Sequence, residues 1–194
     1  MANRREFIVA GAAATGGAAL LGAAPALANE PTAELYTVVY DERFADSVAF
    51  ARQAQRQGLR ISSIRGDVTK LWYDDLYHRW KQGPAAIAGL TDPSALFCLE
   101  TLGNDIGLRR VLKVEHRAGA GGVEHALEGP AGLLQHASLE TCGPAWSSRM
   151  AQLAARCPAT RTGRIESVAL SDGAALRADY PTLVSWVLAP VKRA

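Results

Sequence analysis

Two rhythms of apolar and polar positions run through the middle of the chain. Short runs with little charge inside them, Leu35–Tyr40 (LYTVVY), Arg60–Arg65 (RISSIR) and Ala85–Leu90 (AAIAGL), suit strands with little solvent contact. After each comes helical spacing. Ser47–Gln57 turns Val48 and Ala51 inward and stops at Gly58. The second helix comes after a Gly66-Asp67 turn, with Asp67 or Thr69 able to cap its first free N–H groups. Leu71, Trp72, Leu76 and Trp80 form its apolar stripe. Tyr73 and Tyr77 lie on an adjacent stripe, and Asp74, Asp75, His78, Arg79 and Lys81 form the outer face, before Gly83-Pro84 ends it. The third helix takes Thr91 or Asp92 as its cap and Pro93 in its first turn, and runs through Leu96, Phe97, Leu99 and Leu102 to about Gly103.

Strand–helix units in succession predict a single α/β domain over residues 29–194, built on a mainly parallel sheet flanked by helices. Arg109–Arg117 reads as a fourth strand. The glycine-rich stretch Ala118–Gly122 lacks the spacing of a dinucleotide loop, and the residues after it are strand-like. A β-hairpin of Val111–Arg117 against Val123–Glu128 fits better and brings His116 near His125, with His136 further along. Pro130–Leu139 and Pro144–Arg156 read as short helices. Ile165–Leu170 and Leu183–Val191 read as late antiparallel strands that extend the sheet, with Trp186 in the core.

The start of the chain has a different pattern. Arg4 and Arg5 precede a long uncharged run, Phe7–Leu27, rich in Ala and Gly, and Ala26-Leu27-Ala28 is a small-x-small cleavage site. Asn3-Arg4-Arg5-Glu6-Phe7-Ile8 resembles a twin-arginine (Tat) export signal. The resemblance covers residues 1–28 alone and places the mature start near Asn29. It implies a soluble protein in the periplasm that is handled by the Tat export machinery as a folded passenger. Such passengers often carry a cofactor or ride out with a partner that does. The leader run is too weakly apolar for a lasting anchor, and no second apolar run of spanning length comes after it, so no membrane segment is expected after cleavage.

Charge narrows the field. The whole chain carries 21 basic and 19 acidic residues, and loss of Arg4, Arg5 and Glu6 with the leader leaves it near neutral. Nothing here suggests a nucleic-acid or anionic-membrane surface. The 3 cysteines, Cys98, Cys142 and Cys157, are an odd number with no CxxC, haem or iron–sulfur spacing. Cys142 and Cys157 flank a predicted helix whose ends lie ~20 Å apart, too far for a disulfide. Any disulfide would join Cys98 to one of them.

Candidate chemistry gathers in two places. In open parallel sheets ligands bind at the carboxyl ends of the strands. That edge collects Asp41, Arg43, Asp67 and Thr69 as candidate catalytic groups, with Tyr73 and Thr91 as candidate ligand contacts. The second place is the hairpin, where His116 and His125 are candidate metal ligands if a third group converges. The sequence holds no GxSxG, SxxK, HEXXH or cofactor motif. The expected function is therefore a non-catalytic accessory or ligand-binding subunit associated with a larger Tat-exported periplasmic oxidoreductase, with no cofactor of its own. The alternatives are a small periplasmic hydrolase or lyase using the strand-end carboxylates, and a histidine-based metal-binding protein.

Overall fold

A computed structural model of the chain describes residues 32–119, 122–130, 133, 139, 142–159, 165–171 and 181–191. Residues 1–28, which resemble an export leader, lie outside these, as do His136 and most of the Pro130–Leu139 segment. The three strand–helix units are present: β1 (Leu35–Asp41) with α1 (Ala45–Arg56), β2 (Ile61–Ile64) with α2 (Thr69–Leu71) and α3 (Tyr77–Lys81), and β3 (Ala86–Thr91) with α4 (Pro93–Asn104). Then come β4 (Leu108–Gly119), β5 (Gly122–Pro130), α5 (Trp146–Ala155), β6 (Ile165–Ser171) and β7 (Leu183–Pro190). No helix among the described residues is long and apolar enough to cross a membrane.

The strands form one seven-stranded sheet in the order β2-β1-β3-β7-β4-β5-β6. This is an α/β fold, but the sheet is mixed rather than mainly parallel. β1 pairs parallel with β2 and with β3, and every other pairing is antiparallel. The difference comes from β7. It does not extend the sheet but enters its middle, between β3 and β4. Its sequence LVSWVLAP is buried from Leu183 to Ala189, and a strand covered on both faces reads as a continuous apolar run whichever way it points.

Two cores lie on opposite faces. On one, Phe50 and Ala54 of α1 and Trp146, Met150 and Ala151 of α5 pack on Val38, Ala88, Val114 and Leu127. The inward face of α1 is therefore Ser47, Phe50, Ala51 and Ala54, rotated away from the expected Val48. On the other, Leu71, Leu76 and Trp80 pack with Leu96 and Leu99 on Val39, Ile87 and Trp186. A π-helical turn at Trp72–Leu76 explains why Trp72 is only half-buried. The i→i+5 pattern of that turn aligns Leu71 with Leu76 and swings Trp72 to the rim, edge-on to Tyr77 and Trp80. Asp75 is more than an outer-face charge: it accepts from the Tyr36 hydroxyl at 2.5 Å and pairs with Arg60 at 2.8 Å, tying the helix to β1 and the start of β2.

Trp186 lies flat across Gly89. A Cβ at Gly89 would sit 2.5 Å from the Trp186 ring and 2.6 Å from the Val39 carbonyl oxygen. Neither neighbour is free to move, since both belong to central strands. Gly89→Ala is expected to lower stability by about 1–3 kcal/mol through overpacking, measured by urea unfolding. Trp186→Leu combined with it should remove only the part of the penalty that comes from the ring, leaving the part from the Val39 carbonyl.

Candidate functional site

The chain reverses direction across the sheet at β1. The β1–β2 connection through α1 lies on one face, and the β2–β3 connection through α2 and α3 lies on the other. The carboxyl ends of β1 and β3 therefore form a topological switch point, the place where open α/β sheets hold ligands. Asp41 ends β1 and Thr91 ends β3.

Asp41 is fully buried, and Arg43 meets it with a fork: Nε donates to Oδ1 at 2.9 Å and Nη2 to Oδ2 at 2.6 Å. The Arg43 backbone N–H donates to Oδ1 as well, at 3.0 Å. The same Nη2 reaches Asp92 Oδ2 at 2.5 Å. Hydrogen bonds to Asp41 and then Asp92 raise the pKa of Arg43 above its ordinary value. Asp92 also caps α4, its Oδ1 accepting from the Ala95 N–H at 2.8 Å. Ser47 Oγ accepts from the Asp41 N–H at 2.8 Å and donates to the Leu90 carbonyl, joining the two strand ends. Thr91 Oγ1 accepts from Trp186 Nε1 at 3.1 Å and donates to the Asp92 carbonyl at 3.0 Å. From the β2 turn Gly66, at φ +81°, lies against the Arg43 guanidinium, where a Cβ would be 2.6 Å from Cζ. Only glycine meets both conditions.

The expected constellation therefore assembles in part. Asp41 and Arg43 meet, joined by Asp92, Ser47 and Gly66, while the Thr91 side chain turns to Trp186 and the Asp92 carbonyl. Asp67 and Thr69 do not join them. Asp67 is exposed and turns back on its own chain, Oδ1 accepting from the Thr69 N–H at 2.8 Å, and hydrogen bonds from the Thr69 side chain and backbone lower its pKa. Thr69 is exposed at the helix start, and Tyr73, 63% exposed, projects from the π-helical turn. An open cleft beside β2 is lined by Glu42, Ser63, Arg65, Asp67 and Lys70, a mixed-charge rim apart from the buried carboxylate. Chemically, the switch point is committed to itself. Its carboxylates hold a guanidinium and a helix start, and its buried hydroxyls serve backbone groups and the Trp186 indole.

The hairpin pairs in the expected way, with His116 opposite His125. The rings are not solvated, as strand histidines commonly are. Both are fully buried, with Nδ1 to Nδ1 at 2.7 Å. His116 Nε2 lies 2.7 Å from Ser185 Oγ on β7, and the Trp146 ring of α5 covers His116 at 4.1 Å. No three His, Cys, Asp or Glu side chains group as metal ligands among the described residues. Glu115 points to the opposite face, held by Lys113 at 2.6 Å and by Arg117. Cys98 is exposed, Cys142 half-buried, and Cys157 buried with its thiol pushed up to about 12 by that burial.

No family model, curated protein or solved structure matches the chain. The partners that sequence reasoning missed were Ser47, Asp92 as an ion-pair acceptor, and Ser185. Ser185 is a small polar residue inside a buried apolar run, and that is the signal to use there: such a side chain needs a partner.

Gly66→Ala is expected to lower the thermal midpoint by several degrees, because the methyl displaces the Arg43 guanidinium and the backbone is strained. Asp67→Asn should leave the midpoint unchanged, since an amide oxygen caps as well. Thermal unfolding of both variants checks the division between the two groups.

Proposed function

We propose that the protein is exported to the periplasm and acts as a non-catalytic accessory or ligand-binding subunit of a larger Tat-exported redox enzyme. The observation that carries this reading is the self-commitment of the switch point: Asp41, Arg43, Asp92 and Ser47 satisfy one another. A general base needs a carboxylate within reach of substrate, and a nucleophile needs a free hydroxyl beside a base. Neither stands open there. The hydrolase or lyase alternative required Asp67 and Thr69 to converge with Asp41 and Arg43. The metal-binding alternative required a third ligand beside His116 and His125. The leader supplies the route of export.

The surface favours a protein partner. The solvent side of α4 carries Pro93, Ser94, Phe97, Cys98, Thr101 and Asn104, all exposed and none charged. Phe97 is 70% exposed. Interface centres are depleted in charge and enriched in aromatic residues, and a single buried aromatic anchor often dominates the binding energy.

Native mass spectrometry of untagged protein from periplasmic extract tests the proposal. The expected result is a complex with a cofactor-bearing partner, and Phe97→Glu should weaken it by at least about tenfold, the loss of one such anchor. A free chain of mature mass under all conditions, or a complex indifferent to Phe97→Glu, would count against the partner and the surface respectively.

A further inference from the structure

The buried histidine pair sits where four elements meet: β4, β5, β7 and α5. We propose that it is an acid-operated lock, holding the β4–β5 hairpin to β7 and α5 while a single proton lies between its facing nitrogens, and releasing that corner when both rings are protonated.

The geometry sets the proton count. Two Nδ1 atoms at 2.7 Å form a hydrogen bond only if one carries hydrogen and the other a lone pair. One proton between them is therefore allowed and two are not, because two N–H groups would then point at each other. Ser185 adapts to either arrangement, since its hydroxyl donates to a bare Nε2 of His116 or accepts from a protonated one at 2.7 Å. The His116 side of the pair thus tolerates either tautomer without moving.

Charge on His116 is opposed independently. The ring is fully buried, and burial, reinforced by the neighbouring His125, holds its pKa well below the ordinary histidine value. The groups that contact His116 from the neighbouring strand and helix are neutral. β7 offers Ser185 between Leu183 and Val187, and α5 offers the Trp146 ring, 4.1 Å from His116 and 5.3 Å from His125. On the hairpin itself, alternation sends Glu115, Arg117 and Glu124 to the opposite face. The Trp146 face offers a cation–π contact, but this offsets only part of the cost of burying an ion.

His116 sets the sign of the pH dependence. Its folded pKa is depressed, so the folded ring stays neutral while the unfolded ring binds a proton below its ordinary pKa near 6.5. The stabilisation is complete above that value. It is lost progressively as pH falls from there toward the folded pKa.

Two measurements on the mature chain decide the matter. Urea unfolding at pH 7.5 and pH 5.0 should show the unfolding constant of the wild type rising about 30-fold more than that of His116→Asn, the effect of one neutral buried histidine. Comparison of the change with pH remains valid if the variant is less stable throughout. Nitrogen-15 spectra of the imidazoles in the wild type need no variant. The His116 ring should remain neutral at pH 5.0. Equal pH dependence in the two proteins, or a His116 ring that is already protonated at pH 5.0, would overturn the proposal.

Discussion

A carboxylate buried at the end of a strand cannot stand alone, and the pairing of Asp41 with Arg43 organises the whole carboxyl edge of the sheet. Removing a charge from water costs several kcal/mol unless a partner and further hydrogen bonds compensate. Here the compensation is the Arg43 fork, its backbone N–H and the approach of Asp92. Each partner also has a second duty. Asp92 begins α4, and Gly66 is kept free of a side chain so that the guanidinium can lie against the β2 turn. The edge is thus a closed circuit between β1, the β2 turn and α4. The open alternative, a free carboxylate in a cleft, would be the mark of a reaction centre.

A second constraint comes from the strand that fills the sheet. β7 enters between a parallel half and an antiparallel half and must satisfy both. Trp186 does so on one face by crossing Gly89 and donating to Thr91, which leads to the Asp92 backbone. One residue before it, Ser185 points to the other face and meets His116. The central strand therefore links the ion-pair edge and the histidine corner through neighbouring residues on opposite faces. Where an ordinary core would be wholly apolar, this one places a hydroxyl, two imidazoles and an indole in contact, and such a network fixes geometry only while every member keeps its partner.

Much of this was legible in the chain. The three strand–helix units, the hairpin register that sets His116 against His125 and the Asp92-Pro93 helix start are all written in period, turn residues and caps. The illegible part is non-local. The apolar run around Trp186 announces a strand but not its place, because burial on both faces is the same in parallel and antiparallel company. The π-helical turn is hidden for a related reason: Trp72, Leu76 and Trp80 satisfy an ordinary helical stripe, and only packing shows that Leu71 and Leu76 share the buried face. At the site, Asp67 and Asp41 look alike in sequence, each an acid after an apolar strand. One lies in the turn beyond an edge strand and serves its own backbone; the other ends a central strand and is sealed.

A stability cycle on the Asp41–Arg43 pair tests the closed edge most directly. Arg43→Met should destabilise the fold by about 3 kcal/mol by leaving a buried carboxylate without its main partner, and Asp41→Asn combined with it should recover a large part of that loss. If Arg43→Met is as stable as the wild type, or the double variant is no better than the single, the carboxylate is not held as described and the switch point is open to chemistry after all.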